Sequence, residues 1–197
     1  MVKNIGVLGV QGAVSEHVTA MTNVLKETNT VGKIFVVKHK EEIDDIDALI
    51  IPGGESTTIS RVLYKSGLHN VISERIKENN LAIMGTCAGC VLLAKEITDD
   101  TKDVKLLNAI DMQVERNAFG RQRESFEKSI NIGGFPKPYN AVFIRAPTIK
   151  KIWGKCEALS KTDKEIVMAR QDKFLALSFH PELTDDIRIH KYFLDMI

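Results

Sequence analysis

The sequence predicts an α/β protein, with a central, mostly parallel sheet covered on both faces and an antiparallel extension. Three observations predict it. Short apolar runs alternate with amphipathic stretches through the first half of the chain. Those runs are rich in β-branched residues and end in charge or glycine, as short buried strands do. From about residue 104 the rhythm changes, and strand-like runs follow one another through loops rather than long helices. Repeats, low-complexity segments and linkers are not visible in the sequence, and the expectation is one domain over residues 1–197.

The elements follow in order. "NIGVLGV" reads as a buried strand, and "AVSEHVTAMTNVLKET" as a helix with Val14, Val18, Met21 and Leu25 at helical spacing. "KIFVV" and "IDALII" are strands, the second ending in Pro-Gly-Gly. "TTISRVLYKSG" and "HNVISERIKENN" read as helices, and "LAIMG" as a further short strand. A helix opens at Cys87. Beyond it, "DMQVERN", "FEKSINI", "AVFIRAP", "EIVMARQ" and "KFLALSFH" are strand-like. "TDDIRIHKYFLDMI" closes the chain as a helix, with Thr184 as candidate N-cap and two aspartates in its first turn.

Composition narrows the function. The 197 residues are 44% hydrophobic and 27% charged, with a formal net charge of +1, which gives no general reason to expect nucleic acid or an anionic membrane as partner. The N-terminal "MVKNIGVLGVQG" runs straight into a strand, unlike a signal peptide, and no apolar run approaches a bilayer's thickness. Three cysteines are too few, and odd in number, for a secreted disulfide framework. Reduced thiols and a cytoplasmic location are expected.

The chemistry centres on "LAIMGTCAGCVLLAKEI", residues 81–97. A residue at a strand-to-helix turn sits at the carboxyl edge of a parallel sheet, where open α/β folds hold their ligands. Gly-Thr-Cys-Ala-Gly is the thiol counterpart of the nucleophile elbow, its glycines avoiding side-chain crowding in the turn. The helix N-terminus favours the thiolate, and the backbone N–H of Ala88 is a candidate oxyanion donor. Plainer readings compete with this one. Cys87 could be a small core hydrophobe. Cys87 and Cys90 also spell a Cys-x-x-Cys redox pair. A zinc site is less well supported, because no second ligand pair with suitable spacing exists.

A nucleophile needs a base. Of five histidines, His17 and His69 fall in or beside helices, His39 in a charged connection and His190 on the last helix, where solvated or structural roles suffice. His180 differs, because "LALSFHPEL" brings a strand to its end and delivers the imidazole at the sheet edge. Pro181 pushes His180 towards an extended conformation. An extended Glu182 would then lie on the same side and accept a ring N–H. The turn "PGGESTT" offers bare amides at a neighbouring strand end, most simply that of Gly54, as a second oxyanion donor. Its polar residues would cap the next helix.

Together "IGVLGVQGAVSEH", "PGGESTT", "GTCAG", "VERNAFGRQ", "VFIRAP" and "SFHPELT" resemble the motifs of the class I, or triad, glutamine amidotransferases. Within that group they are most similar to the glutaminase subunits of pyridoxal 5′-phosphate synthase. The resemblance implies a flavodoxin-like three-layer sandwich that hydrolyses L-glutamine to glutamate and ammonia through a thioester. It needs no cofactor and no metal. Ammonia would pass to a partner synthase subunit in a large hetero-oligomer, with one glutaminase per synthase subunit, for vitamin B6 biosynthesis. Carried over by motif, Cys87, His180 and Glu182 form the triad. Gly54, Glu55, Ser56, Arg116, Ile144 and Arg145 contact glutamine, and an arginine is the natural partner for its carboxylate. Cys90 departs from the family pattern, which has an aliphatic residue there. Core packing is its expected role, and a reversible Cys87–Cys90 disulfide is the alternative. Two rival functions stay open, a glutaminase serving another amidotransferase and a non-catalytic flavodoxin-like stress protein.

Overall fold

The computed structural model describes residues 2–98, 103–116, 125–163 and 165–197. In chain order the elements are β1 (Lys3–Leu8), α1 (Val14–Glu27), β2 (Gly32–Val37), β3 (Ala48–Ile51), α2 (Ser56–Lys65), α3 (Leu68–Lys77), β4 (Ala82–Thr86) and α4 (Ala88–Leu93). They continue with β5 (Ala94–Ile97), β6 (Ile110–Glu115), β7 (Ser125–Ile130), β8 (Tyr139–Ile144) and β9 (Thr148–Ile152). The last are β10 (Glu157–Thr162), β11 (Glu165–Gln171), β12 (Phe174–Leu177) and α5 (Arg188–Leu194).

Among the described residues the main sheet runs β2-β1-β3-β4-β12-β11-β9-β6-β5, with β10 also pairing β11, while β7 and β8 form a separate antiparallel pair. From β2 to β12 every neighbour is parallel. From β12 through β11 and β9 to β6 the pairing is antiparallel, and β5 lies parallel to β6. The expected parallel half and antiparallel extension are both present. β12 joins the parallel half beside β4, although the two are far apart in sequence.

Strand periodicity separates two cores. Ile5, Val7, Ile50, Met84, Leu175 and Leu177 face α1 and α5, together with β8. Leu49, Ile51, Ile83 and Ala176 point the other way, to α2, α3 and α4. β3, β4 and β12 are buried along their whole lengths because both faces are covered. The result is the three-layer sandwich. No helix of the described residues is long and apolar enough to cross a membrane.

Three local expectations change. The run "AKEI" after Leu93 has helix-forming residues, yet α4 stops there, and Ala94–Ile97 pairs with β6. The amides of Leu107 and Ala109 take the carbonyls of Leu92 and Leu93, which a longer helix would have used itself. Tertiary pairing here overrides propensity. Thr184 does not cap α5, and the aspartates lie before the helix rather than in its first turn. The Thr184 hydroxyl instead lies 3.0 Å from that of Tyr139, and Asp186 accepts from the Arg188 amide at 3.1 Å. β9 and β10 carry exposed charged residues beside their few buried positions, so no apolar run announces them.

Candidate active site

Adjacent parallel strands expose their carboxyl ends on one edge of the sheet. β3, β4 and β12 are such neighbours, registered Ile51 to Gly85 and Thr86 to Leu177. Chain continuity then brings Gly53 and Gly54, Cys87, and His180 to the same edge. Cys87 has φ 51° and ψ −102°, a positive φ that a non-glycine residue rarely adopts, and its amide donates to the Leu177 carbonyl at 2.8 Å. Crowding fixes the flanking glycines. A Cβ on Gly85 would lie 2.5 Å from the Gly89 carbonyl oxygen, and one on Gly89 would lie 2.2 Å from that of Ile51.

His180 Nδ1 lies 2.7 Å from Glu182 Oε1, and both residues are buried. The contact forms differently from the extended reading, because Pro181–Leu183 is a short 3-10 helix that folds Glu182 back under the ring. Burial disfavours the charged imidazole, but hydrogen bonding to Cys87 and Glu182 outweighs it and lifts the His180 pKa to about 10. Gly53 packs against this pair; a Cβ there would come within 2.5 Å of His180 Cε1 and 3.3 Å of Cys87 Cβ.

Beside Cys87 is a cavity of about 100 Å³, lined by Gly54, Glu55, Ser56, Cys87, Ala88, Val91, Arg116, Arg145 and Pro147. Of the site residues named from the sequence, Gly54, Glu55, Ser56, Cys87, Ala88, Arg116 and Arg145 line it, and His180, Glu182 and Ile144 do not. Arg116 Nη1 donates to the hydroxyls of Ser56 and Thr57, each at 3.3 Å. Arg145 enters from the end of β8 with φ 43°, a second positive-φ non-glycine residue at the site. The Ile144 carbonyl oxygen lies 3.8 Å from Cys87 Sγ, while the Ile144 side chain is exposed and does not line the cavity. The rest of "VERNAFGRQ", from Asn117 on, lies outside the described residues.

Of the polar residues in "GESTT", Glu55 alone is the N-cap of α2, accepting from the amides of Thr57 at 3.0 Å and Thr58 at 2.7 Å. Desolvation raises its pKa, but these hydrogen bonds prevail and hold the carboxyl at about 2. The Glu55 amide donates to Gln11 Oε1 at 2.9 Å, so Gln11 fastens the loop beside Cys87. Sequence reasoning missed Gln11, although it stands inside the quoted "LGVQGAVSEH".

It also missed the buried pair behind the triad candidates. His17 and His190 have no exposed surface, with His17 Nδ1 3.0 Å from His190 Nε2. The signal existed, because position 17 falls on the apolar stripe of Val14, Val18 and Met21. Cys90 is fully buried in the apolar core, and burial pushes its thiol pKa far up, as packing would have it. Among the described residues, no group of three or more His, Cys, Asp or Glu could hold a metal ion.

Solved structures define the class. A crystal structure of a glutamine amidotransferase superposes with a TM-score of 0.86 at 42% identity, covering 98% of this chain and 97% of the other. A glutamine amidotransferase from Thermotoga maritima, TM-score 0.63 at 14% identity, covers 98% of this chain and 81% of its own and shares the fold. The protein is thus an α/β glutamine amidotransferase. More particularly, the chain belongs to the SNO glutamine amidotransferase family, which it matches over residues 7–197. Among similar proteins is pyridoxal 5′-phosphate synthase subunit PdxT of Brevibacillus brevis, 50% identical with 98% of this chain and 96% of the relative covered. The subunits of the same name from Staphylothermus marinus and Pyrococcus furiosus are 48% and 46% identical. They cover 98% and 100% of both chains, respectively.

Proposed function

We propose that this chain is the glutaminase subunit of a pyridoxal 5′-phosphate synthase, acting through a Cys87–His180–Glu182 triad. The observation that carries the reading is the shared edge: a cysteine elbow, an imidazole held by a carboxylate, and a cavity lined by two arginines. Membership of the SNO family and the names of the relatives support the same activity. The family match over residues 7–197 supports reading the chain as one amidotransferase domain.

Glutamine enters the cavity with its α-carboxylate towards Arg116 or Arg145, where a planar guanidinium offers paired donors. Glu55, held anionic as the cap of α2, is suited to the α-ammonium group. With its pKa raised, His180 already holds the Cys87 proton before attack, as an imidazolium stabilised by Glu182. The thiolate attacks the side-chain carboxamide carbon, and the oxyanion is met by the amides of Ala88 and Gly54. His180 then protonates the leaving amine, ammonia departs, and a thioester joins the glutamyl group to Cys87. Water, deprotonated by His180, hydrolyses the thioester to glutamate and regenerates the thiol. Ammonia passes to the partner synthase, one glutaminase serving one synthase subunit in a large hetero-oligomer. A cytoplasmic setting suits a nucleophile that must stay reduced.

The test is release of glutamate and ammonia from L-glutamine, by the chain alone and mixed with a pyridoxal 5′-phosphate synthase subunit, with Cys87→Ala as control. Synthase-dependent release that vanishes in the variant is expected. Undiminished release from Cys87→Ala, or no covalent labelling of Cys87 by a glutamine-analogue electrophile in the mixture, would overturn the reading.

A further inference from the structure

His17, on the first turns of α1, meets three other parts of the chain. Its Nδ1 is 3.0 Å from His190 Nε2 of α5. Its Nε2 is 3.3 Å from Oγ1 of Thr86, the residue before Cys87, and 3.4 Å from Glu182 Oε2. Glu182 uses Oε1 on His180, and Oε2 is a buried oxygen without a hydrogen-bond partner that faces His17 Nε2 across 3.4 Å. His17, Thr86 and His190 are all fully buried.

Proton positions follow from donor and acceptor chemistry. Burial, then the nearby histidines, lowers the His17 pKa well below its ordinary value, and burial lowers that of His190 to about 4, so both rings are neutral with one N–H each. A carboxylate only accepts. A lone pair on His17 Nε2 would face Glu182 Oε2 across 3.4 Å in a dry interior, an unfavourable pairing. Nε2 therefore carries the proton, donated to Thr86 Oγ1 at 3.3 Å, with the buried Glu182 Oε2 facing the same nitrogen at 3.4 Å. Nδ1 is then an acceptor, and the donor it faces is His190 Nε2–H. His190 Nδ1, the remaining acceptor, is buried without a hydrogen-bond partner.

We propose that His17 is a positioning residue for the glutaminase reaction: its protonated Nε2 presents a favourable polar neighbour to the outer oxygen of Glu182, and His190 fixes the tautomer that makes this possible. This inference rests on the triad reading above. Turning the carboxylate away from His180 Nδ1 would forfeit this contact in a dry interior, and the His17 contact with Thr86 ties the imidazole to the strand end that carries Cys87. The imidazole thereby stays aimed at the thiol through the cycle of proton transfers.

The test has two arms on the full-length chain. In histidine-labelled protein, two-bond ¹H–¹⁵N spectra report the His17 tautomer and need no turnover; the Nε2–H form is expected, and the Nδ1–H form overturns the proposal. In the complex with the synthase subunit, glutamine hydrolysis is compared across His17→Leu, His17→Asn and His17→Gln. Glutamine can carry an amide N–H near the Nε2 position, whereas asparagine is too short to do so. Loss of kcat by about tenfold to hundredfold in Leu and Asn, with KM unchanged and substantial rescue in Gln, is expected. Equal losses in all three variants, losses that track melting temperature, or kcat within about twofold of wild type in Leu would overturn it. Wild-type inactivity would reject the triad reading instead, and the tautomer arm alone would then decide whether His17 presents an N–H to Glu182.

Discussion

At the scale of single residues, the site is built from close approach. Gly53 has no side chain because His180 occupies the space: a Cβ would lie 2.5 Å from its Cε1. That ring is buried and held by Glu182 at 2.7 Å, so it cannot swing aside freely. Gly53→Ala is expected to lower kcat for glutamine by about a hundredfold, through misplacement of the imidazole, with the folded state retained. Steady-state kinetics with the synthase and a thermal melt check this, and unchanged kcat would refute it. Cys90 shows the opposite behaviour of a cysteine. It lies three positions from Cys87, yet it is wholly enclosed by the core, with its thiol held protonated by burial. Position in the sequence separates the two thiols less than solvent access does.

At the scale of elements, the turn between β3 and α2 serves both structure and site. The Glu55 carboxylate accepts from two otherwise unpaired amides at the start of α2, and Gln11 accepts from its backbone amide. Glu55→Ala is expected to cost about 1 kcal/mol of stability, as the loss of an N-cap does, and to raise KM for glutamine as well. Urea unfolding and initial rates measure the two effects separately. A stability loss with unaltered KM would confine Glu55 to capping. The shortness of α4 belongs to this scale too. Its residues allow a longer helix, but β6 offers Ala94–Ile97 a strand partner, and the helix ends there.

At the scale of the whole molecule, burying His17 and His190 ties stability to pH. In the unfolded chain both titrate near 6.5, whereas burial holds His190 at about 4 and His17 well below its ordinary value. Between pH 6.5 and about 4 the unfolded chain binds protons at these two positions that the folded chain excludes, so their contribution to stability falls as pH falls through that window and is fully present above it. For His190 the effect is on the order of 3 kcal/mol when complete. His190→Leu should therefore lose less melting temperature than wild type between pH 7 and about 4.5, since one such group is gone. Parallel melting curves for the two proteins across that range would count against it. The sequence by itself determined the α/β order of the first half, the elbow at Cys87, and most of the residues that line the cavity beside it. These depend on local periodicity, turn chemistry and motifs, all of which are written along the chain. Only the tertiary structure decided that β12 lies against β4, which brings His180 to Cys87, and that Glu182 reaches its partner through a 3-10 turn. It also turned "AKEI" into a strand and joined His17 to His190, 173 positions away, behind the carboxylate. Strand neighbours and buried polar pairs are settled by which surfaces exclude water together, and that is a property of the packed molecule rather than of any one segment.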